Sequence, residues 1–218
     1  MSCKFYITAS LLNSWQYNLN NGTLEDFIKV LRKEEFEPTE NILKGFAFEK
    51  YMQENFNETL NGAYQVKLSK ECGDYLLYGI VDCLKGGVIY DYKFTGNYDV
   101  GKFYNNYQTA MYLELVPEAR KMVYLITNKF NVIEYPDIDF QSVAKIDYEI
   151  GDLFREEYER NAIKEPIEIT VNKFIDWLKQ MDLYTLFTEK WGTKKWIILN
   201  AKIVGNVALT FYHWESKK

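Results

Sequence analysis

Histidine occurs once in the 218-residue sequence, cysteine three times and proline four times. The three cysteines, Cys3, Cys72 and Cys83, are odd in number and have no C-x-x-C spacing. That excludes a disulfide framework, a structural zinc site and an iron–sulfur cluster. The lone histidine, His213, sits in the terminal LTFYHWESKK segment and reads as a bystander. No run approaches the roughly 18 apolar residues that a membrane span needs, and the opening MSCKFYITASLLNSW has no long apolar segment of the kind a secretion signal carries. Repeats, Gly/Ser linkers, charge blocks and a Walker-type phosphate loop are missing as well. The expectation is a cytoplasmic protein with reduced thiols and no membrane association. Cations are outnumbered too, 26 Lys and Arg against 31 Asp and Glu for a net charge of −5, so a polyanionic partner would have to be held by a local basic groove or by metal ions.

What the chain does have is apolar mass: 47% hydrophobic residues and 17% aromatics, with 18 Tyr and 14 Phe. At this length that composition specifies one globular domain with a sizeable core. Helical spacing predicts short helices over 10–20 and 24–34, with Thr23 as N-cap, and a third over about 40–58 after Pro38–Thr39. Strands are expected at 63–69, 75–84 and 88–94, a helix at 102–116, and strands at 121–127 and 131–135. This alternation is an α/β pattern with a mixed central sheet flanked by helices. The pattern changes near residue 140, beyond which helices at 143–161 and 170–188 and strands at 195–200 and 206–214 are expected. The organisation read from this is a single domain over 1–218, its core about 8–140 and 141–218 a C-terminal elaboration of helices and strands.

The stretch YGIVDCLKGGVIYDYKFTG carries two aspartates inside an apolar hairpin. Gly86–Gly87 between β-branched runs predicts a two-residue turn, which pairs Lys85 with Val88, Leu84 with Ile89 and Cys83 with Tyr90, and sets Asp82 opposite Asp91. Lys93 follows two residues along the same face. Like charges directly opposed destabilise a hairpin unless something neutralises them, and a divalent cation would. On the preceding helix Ile42, Phe46, Gln53 and Phe56 share a face, with Glu49 in the middle of that stripe. After the hairpin, Gln108 and Tyr112 stand four residues apart on one helical face. Each residue alone has a plain structural account: a solvated or capping Asp82, a surface Asp91–Lys93 ion pair, a half-exposed Glu49, a surface Gln108, a core Tyr112. Their conjunction points to a metal site.

In order, Glu49 on a helix, GIVD ending at Asp82, DYK from Asp91 to Lys93, and the Q-x-x-x-Y of Gln108 and Tyr112 resemble the PD-(D/E)XK nuclease superfamily, in its RecB-type and lambda-exonuclease-like branch. TASLLNSW, with Ser10 and Leu12, is similar to the S-x-S-x-L opening of RecB-type domains. The resemblance spans roughly residues 8–127, and it departs from the pattern where Val81 replaces the proline before the first aspartate. It implies a restriction-endonuclease-like core and hydrolysis of DNA phosphodiester bonds, with Mg²⁺ or Mn²⁺ held by Glu49, Asp82, Asp91 and the main-chain carbonyl of Tyr92. Lys93, Asp91, Asp82, Gln108 and Tyr112 would be the catalytic set. An exonuclease of phage recombination or repair type is implied, with a strand-annealing protein and a homo-oligomer as the associated partners and no iron–sulfur cluster. Lys44, Lys85 and Lys102 are candidates to line the entrance, and Trp15, Tyr98, Phe103 and Tyr104 to stack on unpaired bases. The alternative is a catalytically inactive nucleic-acid-binding or protein-interaction module on a nuclease fold.

Overall fold

A computed structural model describes residues 4–136 and 143–192. Cys3, His213 and the expected strands at 195–200 and 206–214 lie outside the described residues. The strands are β1 (Phe5–Thr8), β2 (Ala63–Cys72), β3 (Tyr75–Lys85), β4 (Val88–Phe94), β5 (Lys121–Thr127), β6 (Phe130–Pro136), β7 (Val143–Ile150) and β8 (Leu153–Glu159). The helices are α1 (Ala9–Asn20), α2 (Leu24–Arg32), α3 (Glu40–Asn55), α4 (Tyr107–Leu115), α5 (Ile167–Gln180) and α6 (Tyr184–Trp191). Together they make a mixed α/β fold: a six-stranded sheet with helices on both faces, and a separate β6–β7 hairpin.

The sheet runs β1-β3-β4-β5-β8, with β2 added along β3. At 11 residues, β3 is long enough to serve three neighbours. Antiparallel β2 follows it from Leu84 to Tyr75, so β1 and β4 share its other edge. There β1 pairs in parallel with Tyr75–Tyr78, and β4 pairs antiparallel with Cys83–Lys85. Among the described residues Gly79–Asp82 have no strand partner on that edge. Gly86 and Gly87 both take positive φ, 57° and 71°, as the two-residue turn requires. Four helices start on side-chain caps, with Thr8, Thr23, Thr39 and Asn106 accepting from Leu11, Asp26, Ile42 and Gln108 N–H groups.

Two cores sandwich the sheet. The larger gathers Leu12 and Trp15 of α1, Met111 of α4 and Phe174 of α5 over Ile89, Met122 and Tyr124. The smaller sets Phe48 and Met52 of α3 against Val88, Tyr90, Tyr92, Val123 and Leu125. Because β4 alternates Tyr90 and Tyr92 into one core and Ile89 into the other, α3 and α4 cover opposite faces.

Several expectations are corrected. Residues 143–161 form β7 and β8 rather than a helix, because Ile146, Tyr148 and Ile150, then Phe154, Glu156 and Tyr158, alternate at period two, and Gly151 breaks the run. The interleaved acids and bases of LFREEYE imitate the charged face of a helix. β8 closes one edge of the main sheet and α5 packs into the larger core. The 170–188 helix is split into α5 and α6 around Asp182, whose φ is 57°. α4 begins at Tyr107 instead of 102, where Asn106 caps it. The buried stripe of α3 is Phe48 and Met52, and Phe46 points outward at 62% exposure.

Candidate functional site

The three predicted hairpin pairs form as expected, from Lys85–Val88 to Cys83–Tyr90. The ladder then stops one pair short of the aspartates. In place of the next main-chain bond, the Asp82 carboxylate accepts the Tyr92 N–H at 3.0 Å. Asp82 and Asp91 are therefore next in register on strands that are parting. β3 also turns over here: Val81 packs in the larger core and Cys83 in the smaller, although residues two apart on a regular strand share a face.

Asp91 is completely buried. Lys93 Nζ lies 2.6 Å from its Oδ2, and Gln108 Nε2 donates to its Oδ1. Gln108 is delivered by the first turn of α4, and that turn is fixed from α1, where Asn13 donates to Asn106 Oδ1 at 2.6 Å and accepts the Tyr107 N–H at 3.0 Å. The loop leading into α4 is pinned by Glu156 of β8, which accepts from the Tyr98 hydroxyl and the Gly101 N–H, both at 2.8 Å, and from the Tyr158 hydroxyl. Burial works against this carboxylate, yet those donors hold its pKa below the ordinary range. No sequence motif marks Asn13 or Glu156; their roles exist only once distant segments meet.

Tyr112 lies on the same face of α4, but it reaches the backbone rather than the acids. Its hydroxyl donates to the Ile80 carbonyl of β3 at 2.8 Å. Its ring packs against Gly79, where an added Cβ would come within 2.6 Å of Cε1. This close approach explains the glycine in GIVD.

Glu49 comes from α3 on the opposite face of the sheet. Its Oε1 accepts from Gln53 Nε2 at 3.0 Å and from Gln65 Nε2. Gln53 and Gln65 were not singled out in the sequence as partners of this acid. The three carboxylates sense one another. Burial pushes Asp82 well above the ordinary aspartate range, and the charges of Asp91 and Glu49 push it further. Glu49 is raised by burial and by Asp91. Asp91 is raised by burial against the opposing pull of Lys93 and Gln108. Burial opposes the Lys93 ammonium as well, but Asp91, Asp82 and Glu49 outweigh it and keep its pKa above the usual lysine value.

Three acids thus face one lysine. Among the described residues no three carboxylate, thiol or imidazole groups converge as a ready-made metal cage. The donor set is nonetheless all oxygen, and its excess negative charge raises the pKa values of its own members. That chemistry fits a hard divalent cation, for which one or two carboxylates suffice while waters complete the shell.

The expected entrance groups are mostly committed elsewhere. Lys85 donates to the Leu60 carbonyl at 2.6 Å, Lys102 to the Asn97 carbonyl at 2.6 Å, and Lys44 pairs with Glu40 at 2.8 Å. Trp15 is buried against Phe174, Phe103 stacks on Tyr124 with centroids 5.0 Å apart, and Tyr98 stacks on Phe154 at 4.5 Å. Of those four aromatics only Tyr104 is exposed, at 57%.

No family model matches the chain, and no curated protein matches it. Among solved structures it is similar to the protein SSO0001, with 16% identity over 80% of this chain and 76% of that one and a TM-score of 0.44. A candidate exonuclease from Eubacterium rectale shares 16% identity over 81% of this chain and 68% of that one, with a TM-score of 0.38. LHK-Exo, solved in complex with dAMP, shares 14% identity over 82% of this chain and 90% of that one, with a TM-score of 0.48.

Proposed function

We propose that the chain is a metal-dependent deoxyribonuclease of the PD-(D/E)XK type that hydrolyses DNA phosphodiester bonds, more readily from an end than internally. The observation that carries this reading is the convergence of Glu49, Asp82, Asp91, Lys93 and Gln108 from α3, β3, β4 and α4 at the point where the β3–β4 ladder opens. An acid cluster of this kind has a structural cost without a neutralising partner.

Asp82, Asp91 and the Tyr92 carbonyl, with Glu49, are the groups that would hold Mg²⁺ or Mn²⁺. A bound ion of this type supplies Lewis-acid polarisation of a phosphate and a lower pKa for water. Lys93 offsets the negative charge that grows on the phosphate oxygens, and its ammonium is kept protonated by the acids around it. Gln108 fixes the Asp91 carboxylate through Oδ1 and so its aim. Tyr112 acts at one remove, holding the Ile80 peptide and with it the strand that presents Asp82.

End-labelled linear duplex, single-stranded DNA and closed circular DNA, each with Mn²⁺, Mg²⁺ or EDTA, test this reading. The expected result is metal-dependent loss of the linear substrates with the circle spared, abolished by Lys93→Ala. Cleavage that survives in EDTA would overturn the metal chemistry, and absence of any cleavage by protein that binds Mn²⁺ would leave the inactive binding module.

A further inference from the structure

Four described non-glycine residues have positive φ: Lys33, Asn61, Gln65 and Asp182. Lys33 is the C-cap of α2, while Asn61 and Asp182 stand in turns. Gln65 alone is inside a strand, at φ 51°. Left-handed backbone is unfavourable for a side chain with a Cβ and is found where the surroundings enforce it, often at functional sites. Here burial offers nothing in return, because Gln65 is exposed.

The register shows what Gln65 does. Ala63–Leu84, Tyr64–Cys83 and Val66–Val81 are paired across β2 and β3, so Gln65 falls opposite Asp82, without a paired partner of its own. β2 changes face at this residue just as β3 does at Asp82: Tyr64 packs against the smaller core, Val66 and Leu68 against the larger. The two strands flip together. From this kink the Gln65 amide reaches Glu49 Oε1, the same oxygen that Gln53 holds from within α3. Two neutral donors on one oxygen orient the carboxylate and leave Oε2 as its other face.

We infer that Gln65 is a positioning residue of the acid cluster, kept in a left-handed conformation so that its amide aims Glu49 at the site built by Asp82 and Asp91. This rests on the metal-site reading above and assigns it a further member. Outer residues that orient a metal ligand typically change metal affinity or activity by about 10–100-fold when removed.

Glycine separates the kink from the amide, since it adopts positive φ freely and donates nothing. Wild type, Gln65→Gly, Gln65→Ala and Glu49→Gln would be titrated with Mn²⁺, free ion being followed by electron paramagnetic resonance, with melting temperatures measured in EDTA. For Gln65→Gly the expected result is an unchanged or raised melting temperature with Mn²⁺ binding weakened about tenfold or more. Gln65→Ala loses both affinity and stability. If Glu49→Gln weakens Mn²⁺ binding and Gln65→Gly does not, the role of Gln65 falls while the metal site stands. If wild type binds no Mn²⁺ and cuts no DNA, the metal-site reading falls and this inference with it.

Discussion

Asp82→Asn isolates the electrostatics of the cluster, because asparagine keeps an oxygen to accept the Tyr92 N–H while removing the charge. Two unit charges about 5 Å apart interact by about 3 kcal/mol at an effective dielectric constant near 20. Asp82 is raised by two like charges, Asp91 and Glu49, and lowered by one cation, Lys93. One repulsion of about that size is left uncancelled, with the burial penalty on top. Proton uptake relieves part of this in the wild type, so the variant should gain about 1–3 kcal/mol at pH 8 without metal, or roughly 2–10 °C in melting temperature for a chain of this size. The pH dependence follows from the raised pKa. The stabilisation tied to a protonated Asp82 is complete below the ordinary aspartate range and is lost as pH climbs through the folded-state value. The advantage of Asp82→Asn should therefore be small at pH 5 and grow toward pH 8. Added Mn²⁺ should reverse the order, stabilising the wild type and not the variant. Calorimetry in EDTA and in Mn²⁺ at both pH values checks this. A variant melting below wild type at pH 8 in EDTA, or an advantage independent of pH, would refute the argument.

Gly79→Ala should cost about 1–3 kcal/mol, since the new methyl overlaps the Tyr112 ring and Leu115. Urea unfolding would show it, and in a Tyr112→Leu background the same Gly79→Ala step should cost less. Lys93→Met leaves the fully buried Asp91 without its ion-pair partner and should destabilise by about 3–5 kcal/mol, whereas Asp91→Asn combined with Lys93→Met should unfold closer to wild type, a coupling readable in a double-mutant cycle.

The hairpin was legible because two adjacent glycines set its register, and the starts of α2 and α3 because Thr23 and Pro38–Thr39 followed by apolar spacing are local signals. Of the residues singled out in the sequence, Asp91, Lys93 and Gln108 are in contact, and Asp82 and Glu49 stand close enough for their charges to act on one another. What stayed hidden depends on long-range contacts. β8 looked helical because its charges alternate with aromatics, and only the sheet edge beside β5 decides between the two readings. Phe46 matched the spacing of a buried face, yet the core that α3 meets is on the Phe48–Met52 side. Gln65 could not be picked out, because a positive φ in a strand leaves no trace in residue type when the residue is neither Gly nor Asn.

Among the described residues no strand pairs with Gly79–Asp82 of β3 on the β1 and β4 side. At that gap in the ladder Glu49 of the α3 layer and Gln108 of the α4 layer both bear on Asp91, the first by its charge and the second by a hydrogen bond. Assembly of the acid cluster therefore requires both layers docked on a finished sheet. With one layer still loose, the chain would present Asp82 and Asp91 without either Glu49 or Gln108 beside them.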